Sequence, residues 1–223
     1  GISGEWGTSA FDIESNKLIL IEPNGDNSAS TWAYDYESDT WEEKSTNDYV
    51  SAQHWGTAVY DVNSDKVILI HANEQGTIHY MVDAYDYNND TWEDLTSYGD
   101  VDNVGEHWGT TAYDIQTDKI YLISGHGSNG AIVCSYSYEE DSFEVISQIT
   151  GYYWGSATAA YDSESDRTIF YNNNPGGSAQ SFYALNFETG FTWLGESGMP
   201  NGGSNEPISV SSAYDYNSDK IIY

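Results

Sequence analysis

The sequence predicts an all-β fold, namely a β-propeller of four-stranded antiparallel blades. Two series of recurring residues are the basis of this prediction. Tyr-Asp or Phe-Asp dipeptides recur at spacings of 49, 53, 48 and 53 residues, beginning at Phe11, Tyr60, Tyr113, Tyr161 and Tyr214. Single aromatic residues recur at spacings of 51, 51 and 50, at Trp41, Trp92, Phe143 and Trp193. Two independent series that share a period of about 50 residues are typical of propeller blades.

The strands can be assigned within one repeat, and the second copy shows them most clearly. Its β-rich runs predict four short strands, at 54–61, 66–71, 77–87 and 91–96. Asn, Asp and Ser residues predict tight turns at 62–65 and 88–90, because their side chains bond the nearby backbone. No segment has the 3.6-residue periodicity of a helix. A parallel solenoid would lack the paired tight turns, so an antiparallel blade is favoured.

The repeats predict a single propeller over residues 1–223. Blade repeats are predicted at 5–50, 51–103, 104–150 and 151–204, with a partial repeat at 205–223. About four and a half repeats are therefore visible, and the last one supplies only two strands. Because an unclosed propeller leaves sheet edges exposed, we expect the natural protein to continue beyond Tyr223 and to have five or more blades.

Three segments share a Tyr-x-Tyr pattern that is followed by Thr-Trp or Ser-Phe. They are Ala33-Tyr-Asp-Tyr-Glu-Ser-Asp-Thr-Trp41, Ala84-Tyr-Asp-Tyr-Asn-Asn-Asp-Thr-Trp92 and Ser135-Tyr-Ser-Tyr-Glu-Glu-Asp-Ser-Phe143. These segments resemble the kelch-repeat family, in the form of the galactose-oxidase-like central domain, and the resemblance covers nearly the whole chain. It is divergent, because His71-Ala72 and Ser124-Gly125 replace the family's diglycine. The resemblance implies a propeller and no particular activity.

The chain is strongly acidic, since six Lys and Arg against 36 Asp and Glu give a net charge of −30 at pH 7. This charge repels phosphates and anionic headgroups, so the sequence excludes a nucleic-acid partner. No apolar run approaches the roughly 20 residues that span a bilayer, which argues against direct membrane insertion. Disorder is excluded as well, because 39% hydrophobic and 15% aromatic residues supply ample surface to bury.

The end of the blades that carries the long loops is the predicted ligand-binding end. The candidate binding residues are tryptophans at the starts of first strands and histidines near the loops, namely Trp6, Trp55, Trp108, Trp154, His54, His107, His71 and His126. Flat aromatic faces beside imidazoles suit sugar rings, which present apolar C–H faces and many hydroxyls. The alternative is that these tryptophans pack between blades and never meet solvent.

Two features are predicted to be buried. The second aromatic series, formed by Trp41, Trp92, Phe143 and Trp193, is predicted to pack between neighbouring sheets, as repeated aromatic residues do in repeat proteins. The single cysteine, Cys134, lies in the middle of a predicted strand, where a buried and inert thiol is expected. A lone cysteine also excludes an internal disulfide.

The tight turns lie at the opposite end and are rich in acids, which we interpret as a solvated face. Segments 61–65 and 215–219 imitate the start of a calcium loop, but Lys66 and Lys220 stand where such a loop needs glycine. Hairpin turns explain these segments better. We expect no cofactor, and weak calcium binding by the acidic end is retained as an expectation. The residue types of a copper oxidase are present without the spacing.

The sequence favours a non-catalytic, kelch-like binding or interaction module of an extracellular or cell-surface protein, with a protein or a glycan as its partner. The sequon Asn89-Asp-Thr91 lies in an exposed predicted turn, which makes Asn89 a candidate glycosylation site and favours that setting. Two alternatives stay open. One is a propeller enzyme, either a glycosidase or lyase or a copper oxidase, and the other is a self-assembling structural repeat of a surface layer or filament.

Overall fold

A computed structural model of the chain describes residues 7–24, 28–48, 56–73, 79–99, 109–125, 130–149, 157–172, 181–186, 190–196, 212–215, 218 and 220–222. Every regular element in these ranges is a β-strand, and the strands form four four-stranded sheets and one two-stranded sheet. The predicted fold class, an all-β propeller of four-stranded antiparallel blades, is confirmed. No helical segment in these ranges has the length and apolar character that crossing a membrane requires.

The strands of each sheet follow the chain order. Blade 1 contains β1 (Thr8–Asp12), β2 (Lys17–Pro23), β3 (Ala29–Asp35) and β4 (Thr40–Glu43). Blade 2 contains β5 (Gly56–Asp61), β6 (Lys66–Asn73), β7 (His79–Asp86) and β8 (Thr91–Gly99). Blade 3 contains β9 (Gly109–Asp114), β10 (Lys119–Gly125), β11 (Ala131–Ser137) and β12 (Ser142–Ile149). Blade 4 contains β13 (Ala157–Asp162), β14 (Arg167–Asn172), β15 (Ser181–Asn186) and β16 (Gly190–Glu196), and the two-stranded sheet contains β17 (Ala213–Asp215) and β18 (Lys220–Ile222).

The second repeat folds nearly as its sequence predicts. Its turns at 62–65 and 87–90 join β5 to β6 and β7 to β8. β6 and β8 extend slightly farther than predicted, and the longer β6 is held by ladder pairing between Asn73 and His79. The strand boundaries at the turn end are therefore predicted more closely than those at the loop end.

The first hairpin of blade 2 shows what the Tyr-Asp dipeptide does. Asp61 Oδ1 accepts hydrogen bonds from the backbone N–H groups of Asn63 and Ser64, at 3.0 and 3.3 Å. Asp65 closes the turn in the left-handed conformation, with a φ of 56°, and accepts the hydroxyl of Tyr60 on Oδ1 at 2.7 Å. Aspartate tolerates this conformation better than most residues do. The dipeptide therefore fixes both the turn and its closing residue.

The same tyrosine-to-aspartate bond recurs in four further hairpins, each at 2.7 Å: Tyr34–Asp39, Tyr85–Asp90, Tyr113–Asp118 and Tyr161–Asp166. In every case the accepting aspartate has a positive φ. Tyr60, Tyr113 and Tyr161 belong to the dipeptide series, and Tyr34 and Tyr85 form the same bond in second hairpins. The carboxylates that close these turns are thus committed to the fold.

The chain divides into two compact units, residues 1–102 with 138–142 and residues 103–137 with 143–223. In the first unit, blades 1 and 2 pack face to face, and their first strands β1 and β5 lie side by side. The buried members of this shared core are Ala10, Ile19, Ile21, Ala29, Ala33, Tyr60, Val67, Leu69 and Tyr85. In the second unit, blades 3 and 4 share a core formed by Ala112, Tyr121, Ile123, Ala131, Val133, Ala159, Tyr161, Phe170, Tyr183 and Leu185.

The prediction that the second aromatic series is buried in the core is wrong for Trp41 and for Trp193. Trp92 is partly buried and packs on the core shared by blades 1 and 2, and Phe143 is partly buried against Tyr136. Trp41 is 43% exposed. Blade 2 packs on the face of blade 1 that carries Ala33, whereas Trp41 pairs with Tyr34 on the opposite face.

The second exception, Trp193, is 60% exposed because the last hairpin of blade 4 is shorter. In blade 2, four residues separate the two strands of this hairpin, and Trp92 pairs with Tyr85 directly after it. In blade 4 only three residues do so, and Phe191 takes that place by pairing with Leu185. Phe191 packs against the core of the second unit and is therefore the structural member of the series.

Candidate functional site

Most of the predicted binding residues lie outside the described residues. These are Trp6, Trp55, Trp108, Trp154, His54, His107 and His126. His71 and the sequon residue Asn89 are described. His71 is thus the one candidate binding residue within the described ranges.

His71 lies near the loop end of blade 2, which we define as the end at which β6 leads toward β7. The two tight hairpin turns of the blade lie at its other end, because an antiparallel chain reverses direction at each connection. Register places His71 opposite Gly56 on β5 and Met81 on β7, and the residue is 2% exposed. The sheet thus encloses an imidazole ring near the end at which ligand binding is predicted.

The other three blades carry a buried polar residue at the same repeat position. Each follows the Tyr or Phe of the dipeptide by 11 residues, as His71 does, and lies near the end of its blade's second strand: Glu22 is 7%, Ser124 is 2% and Asn172 is 3% exposed. We call these four residues the polar row. Buried polar side chains are unfavourable unless they are hydrogen-bonded, so a polar residue recurring at one buried position calls for an explanation.

His71 forms a buried pair with Asp83 on the neighbouring strand β7. The distance between His71 Nε2 and Asp83 Oδ2 is 2.9 Å, and each side chain is 1% exposed. The second polar atom of each residue, His71 Nδ1 and Asp83 Oδ1, has no hydrogen-bond partner within the described part of the chain. With Nε2 protonated toward the carboxylate, Nδ1 is left as an acceptor. The pair therefore retains hydrogen-bonding capacity that the sheet does not use.

Asp83 is an exception to the repeat. It pairs across the strands with Leu69, and the residues that hold this position in the other blades are Trp32, Cys134 and Tyr183. Three of the four blades thus place an aromatic or thiol side chain where blade 2 places a carboxylate. Blade packing alone does not require the acid.

Gly56 brings the first strand of blade 2 close to His71. A Cβ atom at position 56 would lie 2.9 Å from Leu69 Cδ1 and 3.5 Å from His71 Cβ. The same contact recurs at Gly109, where a Cβ would lie 3.3 Å from Leu122 Cδ1. The glycine that follows Trp55 and Trp108 therefore has a packing role, independent of any role of the tryptophans themselves.

Two acids of the tight-turn end, Asp35 and Asp86, are paired with lysines. Lys17 Nζ contacts Asp35 Oδ2 at 2.6 Å, and this hydrogen bond, followed by a bond from the backbone of Ser38, lowers the pKa of Asp35 to about 2. Lys66 and Asp86 repeat the arrangement in blade 2 at 3.3 Å. The first position of the second strand holds five of the six basic residues, namely Lys17, Lys66, Lys119, Arg167 and Lys220.

The segment 61–65, which imitates a calcium loop, is a hairpin turn. Asp61 caps the backbone of that turn, and Asp65 uses one carboxylate oxygen for Tyr60 and the other for Asn88 Nδ2 at 2.8 Å. Within the described ranges, no three His, Cys, Asp or Glu side chains are grouped so that they could hold a metal ion. Weak calcium binding by the acidic end stays a prediction.

Two further predicted features lie within the described residues. Asn89 is exposed in the turn between β7 and β8, and its Nδ2 donates to Asp86 Oδ2 at 2.8 Å. Cys134 lies at the centre of β11 with no exposed surface, as expected, and burial raises the pKa of its thiol to about 12. A thiol with this pKa stays protonated at neutral pH and is a poor nucleophile.

Comparison with known proteins supports the fold and leaves the activity open. No protein-family model and no curated protein match the chain. Among solved structures it is similar to YjhT, with a TM-score of 0.66, 11% identity and coverage of 97% of this chain and 70% of that one. It is also similar to the periplasmic gluconolactonase of Pseudomonas aeruginosa, with a TM-score of 0.64, 8% identity and coverage of 90% and 59%. An auxiliary nutrient binding protein from Bacteroides ovatus gives a TM-score of 0.58, 15% identity and coverage of 89% and 44%.

These similarities establish the propeller fold alone, because identities of 8 to 15% carry no statement about activity. The chain spans 44% of the length of the nutrient binding protein and 59% of that of the gluconolactonase. Both an enzyme and a binding protein are among these neighbours. The kelch resemblance has no support beyond the segments that carry it.

Proposed function

We propose that this chain is a non-catalytic, kelch-like propeller module that binds its ligand at the loop end, with a glycan as the favoured ligand and a protein as the alternative. The observation that carries the proposal is the buried pair of His71 and Asp83 in blade 2. The pair is close to the loop end, and it leaves two polar atoms without partners among the described residues.

The contrast between the two ends of the blades supports this choice of end. At the turn end, the aspartates of the hairpins are engaged by tyrosine hydroxyls, backbone N–H groups and lysines. Such bonds recur from blade to blade and are explained by folding. The His71–Asp83 pair does not recur, because Asp83 stands where the other blades carry Trp32, Cys134 or Tyr183. A costly polar pair that the repeat does not need is better explained by a ligand.

The chemistry of the polar row favours a polyhydroxylated ligand. Taken blade by blade, it offers a carboxylate, an imidazole, a hydroxyl or an amide, and each of these groups can bond a sugar hydroxyl. Trp55 and Trp108 precede Gly56 and Gly109, which pair across the strands with His71 and Ser124 of the row, and a tryptophan supplies the aromatic surface that a sugar ring requires. The nutrient binding protein among the structural neighbours is in keeping with a binding role.

We place the protein outside the cytoplasm, in an extracellular or cell-surface setting. The lysine-poor, acidic composition and the exposed sequon at Asn89 support this placement. The periplasmic gluconolactonase among the structural neighbours is consistent with it.

A glycan array followed by calorimetric titration with the best glycan tests the proposal on the full chain. The wild type should bind a glycan, and His71→Gln should bind it at least tenfold more weakly. Glutamine keeps an N–H donor for Asp83 but lacks an equivalent of Nδ1, so this variant separates binding from folding. Trp55→Ala and Trp108→Ala should also weaken binding if the tryptophans contact the ligand.

The matched control is Asn63→Ala, which changes an exposed residue at the turn end of the same blade and should leave the affinity unchanged. Circular dichroism and thermal unfolding establish that each variant is folded. Absence of any glycan ligand for the folded wild type would refute the glycan part of the proposal. Equal affinity of wild type and all three loop-end variants would place the site elsewhere.

A propeller enzyme is the second candidate, and the same pair favours it. A carboxylate that holds Nε2 orients the imidazole and leaves Nδ1 as a general base, which is the arrangement of an acid–base catalyst. Incubation with a panel of oligosaccharides and analysis of the products distinguishes the two functions. If the wild type turns over a substrate and His71→Gln does not, the protein is an enzyme and not a binding module.

A further inference from the structure

Two aspartates face each other across the outer strands of blade 2. Register places Asp83 of β7 directly opposite Asp94 of β8, so both side chains lie on the same face of the sheet. This is also the face of His71, whose Nε2 contacts Asp83 Oδ2. Like charges that lie directly opposite each other destabilise a sheet. The two aspartates therefore lower the stability of blade 2 unless a positively charged group binds them.

Blades 1 and 4 do not oppose two acids at this repeat position. In blade 1 the position pairs Trp32 with Glu43. In blade 4 it pairs Tyr183 with Trp193. Both blades thus place an aromatic ring where blade 2 has Asp83, so the repeat does not require two opposed acids. The exception falls on a carboxylate whose Oδ1 has no hydrogen-bond partner among the described residues.

The opposed aspartates are not neutralised by a basic residue. In the part of the chain that the structure describes, neither a lysine nor an arginine contacts Asp83 or Asp94. Five of the six basic residues begin second strands, at the turn end, and the sixth, Lys44, contacts Glu42 Oε2 at 3.0 Å. Asp94 is exposed, whereas Asp83 is 1% exposed and carries a charge that is unfavourable to bury alone. The two carboxylates therefore suit a cation that comes from outside the chain.

The arrangement of these groups favours an ammonium group as the cation. Within the described ranges, no three His, Cys, Asp or Glu side chains are grouped so that they could hold a metal ion. Asp83 and His71 are almost fully buried beside the exposed Asp94, so a small head group fits there better than a ring. A primary ammonium carries three N–H donors on one atom. It matches the acceptors Asp83 Oδ1 and His71 Nδ1 together with the Asp94 carboxylate, and such charge-assisted hydrogen bonds are strong.

We propose that Asp83, Asp94 and His71 bind a primary ammonium group, and that the glycan ligand therefore contains an amino sugar with a free amine. This inference rests on the proposed function, because it names the class of glycan that the site around His71 binds. An acidic sugar is disfavoured by the net charge of −30 and by the two opposed carboxylates. A neutral sugar leaves those carboxylates uncompensated.

Three matched oligosaccharides test the head group. The β-linked tetramers of glucosamine, N-acetylglucosamine and glucose share one backbone and differ in a single substituent, which is an ammonium, an acetamide or a hydroxyl group. Calorimetric titration of the full chain should show that the glucosamine tetramer binds about tenfold more tightly than the other two, because it alone forms charge-assisted bonds. High salt during the titration suppresses the non-specific attraction of an acidic chain for any cation. Equal affinity for the three tetramers would overturn the proposal.

A pair of variants tests the residues. Asp94→Asn should weaken binding of the glucosamine tetramer by about tenfold and raise the melting temperature, because it removes one of two opposed charges. Glu43→Gln is the matched control, since Glu43 is an exposed acid at the same repeat position of blade 1 and lies opposite Trp32. It changes the net charge by the same amount and should leave the affinity unchanged. Equal effects of the two variants would assign the binding to non-specific attraction.

The outcomes separate this inference from the proposed function. If neutral or acidic glycans bind on the array and the glucosamine tetramer does not, the proposed function holds and the ammonium site is wrong. If no glycan binds and a tetralysine peptide binds with the same dependence on Asp94, the ammonium belongs to a protein partner and the amino sugar is wrong. If neither the glycans nor the peptide bind, both proposals fail.

Discussion

The indole Nε1 of Trp92 donates a hydrogen bond to Thr31 Oγ1 at 3.0 Å, which joins the outer strand of blade 2 to the third strand of blade 1. The same Nε1 lies 3.1 Å from the carbonyl oxygen of Ser45, and Ser45 is held in turn by Asp90, whose Oδ1 accepts its backbone N–H at 2.9 Å. The turn of blade 2 thus fastens the segment that leaves blade 1. Contacts between neighbouring blades are where a repeat protein gains much of its stability.

Removing the indole donor should weaken this junction. Trp92→Phe keeps an aromatic ring against the core but leaves Thr31 and Ser45 without their donor, and we expect a loss of about 1 to 2 kcal/mol in the free energy of unfolding. Urea denaturation measures it. Trp193→Phe is the matched control, because Trp193 is 60% exposed and its substitution should change the free energy of unfolding little. Equal losses in the two variants would show that the bond to blade 1 does not stabilise the fold.

Gly56 should not tolerate a methyl group. A Cβ there would lie 2.9 Å from Cδ1 of Leu69, which is 2% exposed and cannot easily move away. We expect Gly56→Ala to lower the free energy of unfolding by about 1 to 3 kcal/mol, as overpacking of a core does. The double variant Gly56→Ala with Leu69→Ala tests the cause, since the added methyl then fills vacated space and the two losses should fall short of additive. Strict additivity would assign the loss to another contact.

The closing residue of each first hairpin should be sensitive to substitution. Asp65 has a φ of 56° and accepts the Tyr60 hydroxyl at 2.7 Å, so Asp65→Ala loses the bond and strains the turn. We expect Asp65→Ala to lower the free energy of unfolding by about 1 to 3 kcal/mol. Asp65→Asn keeps a carbonyl acceptor and a residue suited to this conformation, and its loss should be clearly smaller. Thermal unfolding compares the two variants, and equal melting temperatures would refute this account of the turn.

The sequence predicts the parts of this fold that depend on local chemistry. Tyr-Asp dipeptides predict the hairpins because Asp61 and Tyr60 act within five residues of their own position. Packing is less predictable. Trp41 and Trp92 have nearly the same sequence surroundings, yet Trp92 packs on the core shared by blades 1 and 2, whereas Trp41 is 43% exposed. Which side of a blade is covered is not encoded in the repeat itself.

The candidate site is predictable only in part, for a similar reason. His71 can be selected as a histidine near a loop, but its partner Asp83 is recognised only once the register of β6 and β7 is known. When the repeats are aligned on the dipeptide, a polar residue occupies the position 11 residues after its aromatic member in each of the four blades, and these residues are the polar row. The same alignment shows that Trp154 precedes its dipeptide by seven residues, whereas Trp55 and its two counterparts do so by five. Trp154 therefore does not share their repeat position.

Asp35 gives the fold a pH-dependent contribution. Its contact with Lys17 at 2.6 Å lowers its pKa from the ordinary 3.8 to about 2. Because the folded state has the lower pKa, this contribution is complete above about pH 4 and is lost as the pH falls toward 2. Lys17→Met removes the partner, so its deficit in melting temperature relative to wild type should be present at pH 7 and shrink toward pH 2. A deficit of equal size at both pH values would instead assign the role of Lys17 to packing of its aliphatic stem.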